Sequence, residues 1–190
     1  MNGKLVDLTD RFPEQITQEI KQHPEFIWFR ARAIDADIPD DNGDIFPEKE
    51  ILSEIEVDGT RMLSFQTFVG RPILTRGSEN TKNGEIIHAE WDDKDKCVYV
   101  ISYVNSVTYP HLARDIINGY KTVAMICDIQ YGVCSVCGNK AMAEEKYCEH
   151  LIQLKGHFGV YEENFGICFT GLYIYDSSFG DRKIEEILNI

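Results

Sequence analysis

The spacing of three cysteines and one histidine constrains this chain more than any other feature of its sequence. Cys134-Ser135-Val136-Cys137-Gly138 is a CxxC followed by glycine, and Cys148-Glu149-His150 comes ten residues later. Two thiolates at the first spacing grip one metal ion when the chain turns tightly between them. Gly138 supplies the positive φ that such a turn often needs. The third thiolate and the imidazole complete a Cys3His donor set, that of a closed tetrahedral structural zinc site. The expected cofactor is therefore one structural Zn2+ held by Cys134, Cys137, Cys148 and His150. With all four positions filled by protein, none stays open for a catalytic water.

The competing readings are weaker. Iron–sulfur clusters usually want four cysteines, and His157 is the only nearby rival to His150 as fourth ligand. Incidental core cysteines do not explain four ligand-type residues within 17 positions of a lysine- and glutamate-rich excursion. Zinc contributes on the order of 10–16 kcal/mol to folding in isolated small zinc peptides, enough to pin an excursion lacking its own core.

The chain has six cysteines, and no apolar signal-peptide core follows Met1-Asn2-Gly3-Lys4-Leu5. A reducing cytoplasm is the expected site of synthesis, where thiols serve as metal ligands or core residues rather than disulfides. Cys97, Cys127 and Cys168 stand between apolar neighbours and read as core. No segment reaches the roughly eighteen apolar residues of a membrane helix, so no membrane partner is expected.

Charge narrows the partners further. Lys plus Arg number 19 against 32 Asp plus Glu, a formal net charge of -13. Such a surface repels phosphate backbones, whose binding rests on cations displacing counterions. Direct nucleic-acid binding is not expected, even with a zinc knuckle, because Ala143-Glu144-Glu145-Lys146 around it is not basic.

The apolar pattern places the elements. Pro13 to Gln22 reads as a helix and Phe26 to Ile34 as an aromatic-rich strand. Asp35 to Asp44 is an acidic loop; its Asp35, Asp37, Asp40, Asp41 and Asp44 lack the ligand order of an EF-hand and read as solvated. Pro47 to Ile55 suits a helical turn or two. Val69 to Thr75, Gly84 to Trp91 and Cys97 to Val104 read as strands, the last two a hairpin through Asp92 to Lys96. Tyr109 to Gly119 reads as a helix with Pro110 in its first turn and Gly119 at its end. Thr122 to Tyr131 and part of Gly166 to Asp176 read as strands, and Asp181 to Leu188 as a closing helix.

Strands outnumber helices, and the helices are scattered among them. The expected fold class is α+β, a mostly antiparallel β-barrel or sheet with peripheral helices and a small zinc-knuckle excursion. One domain spans 1–190: an N-terminal helical segment at 1–25, a β-rich core at 26–131 and 153–190, and the knuckle at 132–152.

An ordered series of local patterns points to a family. Thr67-Phe68-Val69-Gly70-Arg71-Pro72-Ile73-Leu74 is followed by Asn83-Gly84-Glu85-Ile86-Ile87. Ile116-Ile117-Asn118-Gly119 then precedes Thr122-Val123-Ala124-Met125-Ile126-Cys127-Asp128, the knuckle, and Phe169-Thr170-Gly171-Leu172-Tyr173. From Phe68 to Asp176 this resembles the prohead (head-maturation) proteases of tailed phages, serine proteases with the fold of the herpesvirus assemblin, a β-barrel ringed by helices. A subset of them carries a CxxCGN…CxH knuckle similar to this one. The join of knuckle to preceding strand is the specific part.

The departures from the family are chemical. Ala124 stands where the family has its serine, and Ile126 where it has a small glycine. The family's histidine falls near Arg76 or Gly77, neither of which is a base, and Asp176-Ser177-Ser178-Phe179 replaces its usual "PA" ending. Acyl transfer needs a nucleophile and a base within hydrogen-bonding reach. The resemblance thus implies a catalytically inactive relative, a pseudoenzyme with no catalytic residues.

The expected function is a non-enzymatic structural component of a bacteriophage particle, in the head, neck or tail. It is made in the host cytoplasm, located in the virion, and partnered by other virion proteins in a symmetric assembly. One alternative is an active assembly protease whose catalytic set has moved to His88 with Ser78, Ser102 or Cys127. Another is a zinc-containing adaptor outside the virion. His23 reads as a helix-end residue and His111, in a helix's first turn, as a surface or packing residue, and no HExxH, phosphate-loop or dinucleotide motif is present.

Overall fold

The computed structural model describes residues 12–75, 82–176 and 182–188. In chain order its elements begin with α1 (Glu14–Gln22), β1 (Phe26–Asp35), β2 (Asp44–Ile45) and α2 (Glu48–Ile51). A small hairpin, β3 (Glu54–Val57) and β4 (Thr60–Leu63), leads through a 3-10 turn at Ser64–Phe68 into β5 (Pro72–Thr75). Next come β6 (Lys82–Asp92), β7 (Cys97–Asn105), α3 (Pro110–Ile117) and β8 (Lys121–Asp128). The metal-ligand segment holds β9 (Tyr131–Cys134), β10 (Lys140–Ala141) and α4 (Glu149–Leu154), followed by β11 (Glu162–Phe165), β12 (Cys168–Asp176) and β13 (Arg182–Ile187).

Seven strands form one curled, mostly antiparallel sheet in the order β1-β13-β8-β12-β5-β6-β7. Its two ends meet because β1 pairs with β7 as well as with β13. The one parallel pair is β12 with β5. Among the described residues, β13 pairs with β8 through Arg182↔Val123 and Lys183↔Thr122. A second sheet, β10-β9-β11-β2, carries Cys134 at the end of β9.

The interior is filled by Phe29, Ala31, Ile73, Ile86, Val98, Val100, Val123 and Leu172, with Phe68 and Phe169 stacked at 4.2 Å between ring centroids. The alternation that puts Phe29 and Ala31 inside sends Trp28 out, where it packs with Ile20 of α1, Ile101 and Leu188. Cover on both faces explains why Phe26-Ile27-Trp28-Phe29 is a continuous apolar run. Arg30, one of two arginines in that strand, lies 3.3 Å over the Tyr99 ring and 3.0 Å from Glu90. Gly84 lets β6 lie close against β7, since a Cβ there would fall 1.7 Å from the Tyr103 carbonyl oxygen.

Several expected elements differ: the helical turn over Pro47 to Ile55 stops at Ile51, with Ile55 in β3, and the strand over Val69 to Thr75 begins at Pro72. Where a closing helix is expected over Asp181 to Leu188, Arg182–Ile187 form a strand. Ile184, Ile187 and Leu188 do have helical spacing, but the open sheet edges of β1 and β8 need a partner, and Phe29↔Ile187 and Ala31↔Ile184 supply it. The strand expected over Thr122 to Tyr131 ends at Asp128, and Tyr131 already belongs to the second sheet. No described helix is long and apolar enough to cross a membrane.

Candidate metal centre

The four ligands come from two short elements. Cys134 ends β9, and the chain turns back at once: the Gly138 N–H donates to the Cys134 carbonyl at 2.9 Å, and the Cys134 N–H to the Asn139 carbonyl at 3.0 Å. Gly138 sits at φ +70°, as the tight turn requires. Cys148 is the N-cap of α4 and His150 lies in its first turn. The Asn139 side chain donates to the Lys146 carbonyl at 3.1 Å, tying the two halves together.

The donor atoms of Cys134, Cys137, Cys148 and His150 all lie within 4.8 Å of one another. The imidazole presents Nδ1, 3.9 Å from the Cys148 sulfur. Bonds of about 2.3 Å to sulfur place tetrahedral ligands a little under about 4 Å apart, so the set fits one zinc ion. Burial works against the Cys148 anion. The Leu151 N–H and the ring of Cys137, Cys134 and His150 outweigh it and hold the thiol down to about 6. A sulfur ready to ionise near neutrality is what a metal ligand needs. The lobe has its own small core of Cys134, Leu151 and Val160, with Tyr147 and Leu154 against it.

His157 is exposed and outside the group, which leaves His150 as the fourth ligand. Of the acidic-loop carboxylates, Asp35 pairs with Arg32 and Arg182, Asp37 accepts from the Glu48 N–H, and Asp40 accepts from the N–H groups of Asn42 and Asp44. Cys97, Cys127 and Cys168 lie on β7, β8 and β12. Ala124 lies on β8 opposite Tyr173, while Arg76, Gly77 and Ser78 fall outside the described residues. Ser102 is buried and its Oγ has no hydrogen-bond partner, so it makes no dyad with His88. Burial and then the charges of Asp44, Asp128 and Asp40 push the Cys127 thiol up to about 12. His23 caps the end of α1 and His111 is exposed in the first turn of α3.

A buried polar cluster ties the residues flanking α4 to β2 and β11 of the second sheet, and sequence reasoning did not find it. Glu162 is 1% exposed and accepts from the Lys155 ammonium and from the Tyr147 hydroxyl at 2.6 Å. Lys155 also reaches Asp44 at 2.8 Å, and Asn164 donates to the same carboxylate at 2.9 Å. The one available signal was polar residues at alternate positions of a strand, Glu162 and Asn164, where inward apolar ones are usual. No family model matches the chain, and no curated protein or solved structure is significantly similar to it.

Proposed function

We propose that this chain is a non-enzymatic structural component of a tailed-phage particle, built on a barrel like that of the prohead proteases and stabilised by one zinc ion. The observation that carries the reading is the junction of β8 with the metal lobe. A barrel strand bearing Ala124 in place of a nucleophile runs, after a two-residue turn, into a Cys3His knuckle. That is the order of parts in the family that Phe68 to Asp176 resembles.

The reading assigns the barrel to a scaffold role and the surface to protein partners. A relocated protease finds no support in Ser102, which lacks a partner for its hydroxyl. Nor does Cys127 help, because burial, and after it the neighbouring carboxylates, oppose a thiolate. The adaptor reading has no specific observation in its favour.

Mass spectrometry of purified particles from the source phage tests the proposal. Full-length chain at a copy number matching a symmetric ring or vertex is the expected result. Absence from the particle, or fragments beside processed capsid proteins, overturns it.

A further inference from the structure

The second sheet buries one side and leaves the other uncovered. Ala141, Gly132 and Asn164 lie opposite one another across β10, β9 and β11, with Cys134 opposite Glu162 in the next row of that side. All five are buried. Successive strand residues point to opposite faces, so the outward side takes the residues between. Lys140, Val133, Glu163 and Ile45 form one row across the four strands, and Tyr131 and Phe165 the next. None of these six is buried, and none belongs to a buried apolar cluster of the described residues. A sheet face turned to water is usually polar, whereas four of these six are apolar or aromatic.

The face is also preformed. The Tyr131 and Phe165 rings stack at 5.0 Å between centroids with 5° between their planes. The Lys140 ammonium lies 3.3 Å from the Tyr131 centroid, and the Lys49 ammonium 5.0 Å from that of Phe165, so the stack is closed by a cation at each end. Rings already held in place lose little freedom when a partner covers them. Met142, two residues beyond Lys140 and directly after β10, is 79% exposed.

The charges say what covers it. Lys140 and Glu163 lie in one row on either side of Val133, and no ion pair reaches either of them among the described residues. A partner that satisfies both must set an acid over Lys140 and a base over Glu163 at the same spacing. The face itself carries that pattern. Turning a second copy about a two-fold axis parallel to the strands and above β9 places its Glu163 over Lys140 and its Lys140 over Glu163. The same rotation sets Val133 and Tyr131 against their own counterparts, and brings the row position of Met142 over Phe165, where a thioether and a ring attract. Such a self-complementary patch is what a two-fold interface requires, and the strands of the two copies end nearly aligned, as in stacked sheets.

We propose that this face joins two copies of the chain, sheet on sheet, with Lys140 of each copy meeting Glu163 of the other across Val133. The apolar and aromatic residues of the face are then covered, and both unpaired charges are matched. The assignment goes beyond the particle role proposed above and does not depend on it, since the pairing is read in solution.

Sedimentation equilibrium of the full zinc-loaded chain tests it, from about 1 to about 200 μM. An ionic strength of about 0.15 M, with a Debye length of about 8 Å, screens the overall repulsion between chains of charge -13. Twice the chain mass, reached as concentration rises, is the expected result. Lys140→Glu and Glu163→Lys should each weaken the dimer at least about tenfold, and K140E/E163K together should restore it. Val133→Arg, which sets like charges against each other at the axis, should abolish it. Should Glu163→Lys fail to fold, Lys140→Glu with Met142→Asp, both at exposed positions, gives the same loss. A monomer at every concentration overturns the pairing, and so does a dimer indifferent to Val133→Arg. A double charge swap no stronger than the single ones overturns the contact of Lys140 with Glu163.

Discussion

The Lys155 ammonium lies 2.5 Å from the Glu162 carboxylate, and that carboxylate is 1% exposed. The pair ties the end of α4 to the second sheet, since Lys155 follows α4, Glu162 lies on β11, and Lys155 also holds Asp44 of β2 at 2.8 Å. A buried ion pair adds little when compared with apolar residues of the same shape, but removing one partner strands the other. Lys155→Met should therefore destabilise the zinc-loaded chain by about 3–5 kcal/mol in urea unfolding. Adding Glu162→Gln should recover part of the loss, because the stranded charge goes with it. A single-variant cost below about 1 kcal/mol would mean that water already screens Glu162.

The same lysine sets an alkaline limit. Burial disfavours its charge, yet the hydrogen bonds to Asp44 and Glu162 outweigh burial and push its pKa up. A cation whose folded pKa is raised contributes stability fully below its unfolded value of about 10.4, and loses it as pH climbs through the folded one. The stability gap between wild type and Lys155→Met should thus be constant near neutrality and close only above about pH 10.4. Urea midpoints across a pH series read this directly, and a gap that narrows between pH 6 and 9 contradicts it.

Much of this was open to reading in the sequence, for reasons that differ by element. The ligands were legible because metal chemistry fixes both residue type and spacing. The β6–β7 hairpin was legible because Asp92 to Lys96 interrupts two apolar runs, and the structure pairs Asp92 with Cys97. The strand β13 was not, since Ile184, Ile187 and Leu188 suit a helix locally and only the waiting edge of β1 decides otherwise. The cluster of Asp44, Lys155 and Glu162 was hidden for a related reason. Asp44 lies 111 residues from Lys155, and no local pattern links them.

Metal removal should act on the lobe before the barrel. The lobe's core is three buried residues, Cys134, Leu151 and Val160, and one of them is a ligand. The barrel has more than twenty of its own, with Phe68 and Phe169 among them. Elemental analysis should give one zinc per chain, and Cys148→Ser should abolish it. After chelation, proteolysis is expected first at Lys140 and Lys146, with the barrel fragments intact. Thiol labelling gives a second readout: Cys137 and Cys148 should react quickly only in the metal-free chain. Cys127, pushed up to about 12 by burial, and fully buried Cys97 should stay slow in both forms. Rapid labelling of Cys137 with zinc bound would remove it from the ligand set.

Gly84 offers a test of the barrel that leaves the metal lobe untouched. It faces Val104 across the β6–β7 pair and lines up with Ile73 on β5, so it lies where three strands meet. A methyl group there would lie 1.7 Å from the Tyr103 carbonyl oxygen and 3.2 Å from the Val104 Cα. Backbone, unlike the end of a flexible side chain, cannot step aside without breaking the ladder. Gly84→Ala should cost more than the roughly 1–3 kcal/mol typical of overpacking, even though alanine relieves the conformational freedom of glycine in the unfolded chain by about 0.4–1 kcal/mol. Zinc content per folded chain should be unchanged. Wild-type stability for this variant would mean that β6 and β7 do not approach as closely as the Gly84–Tyr103 contact requires.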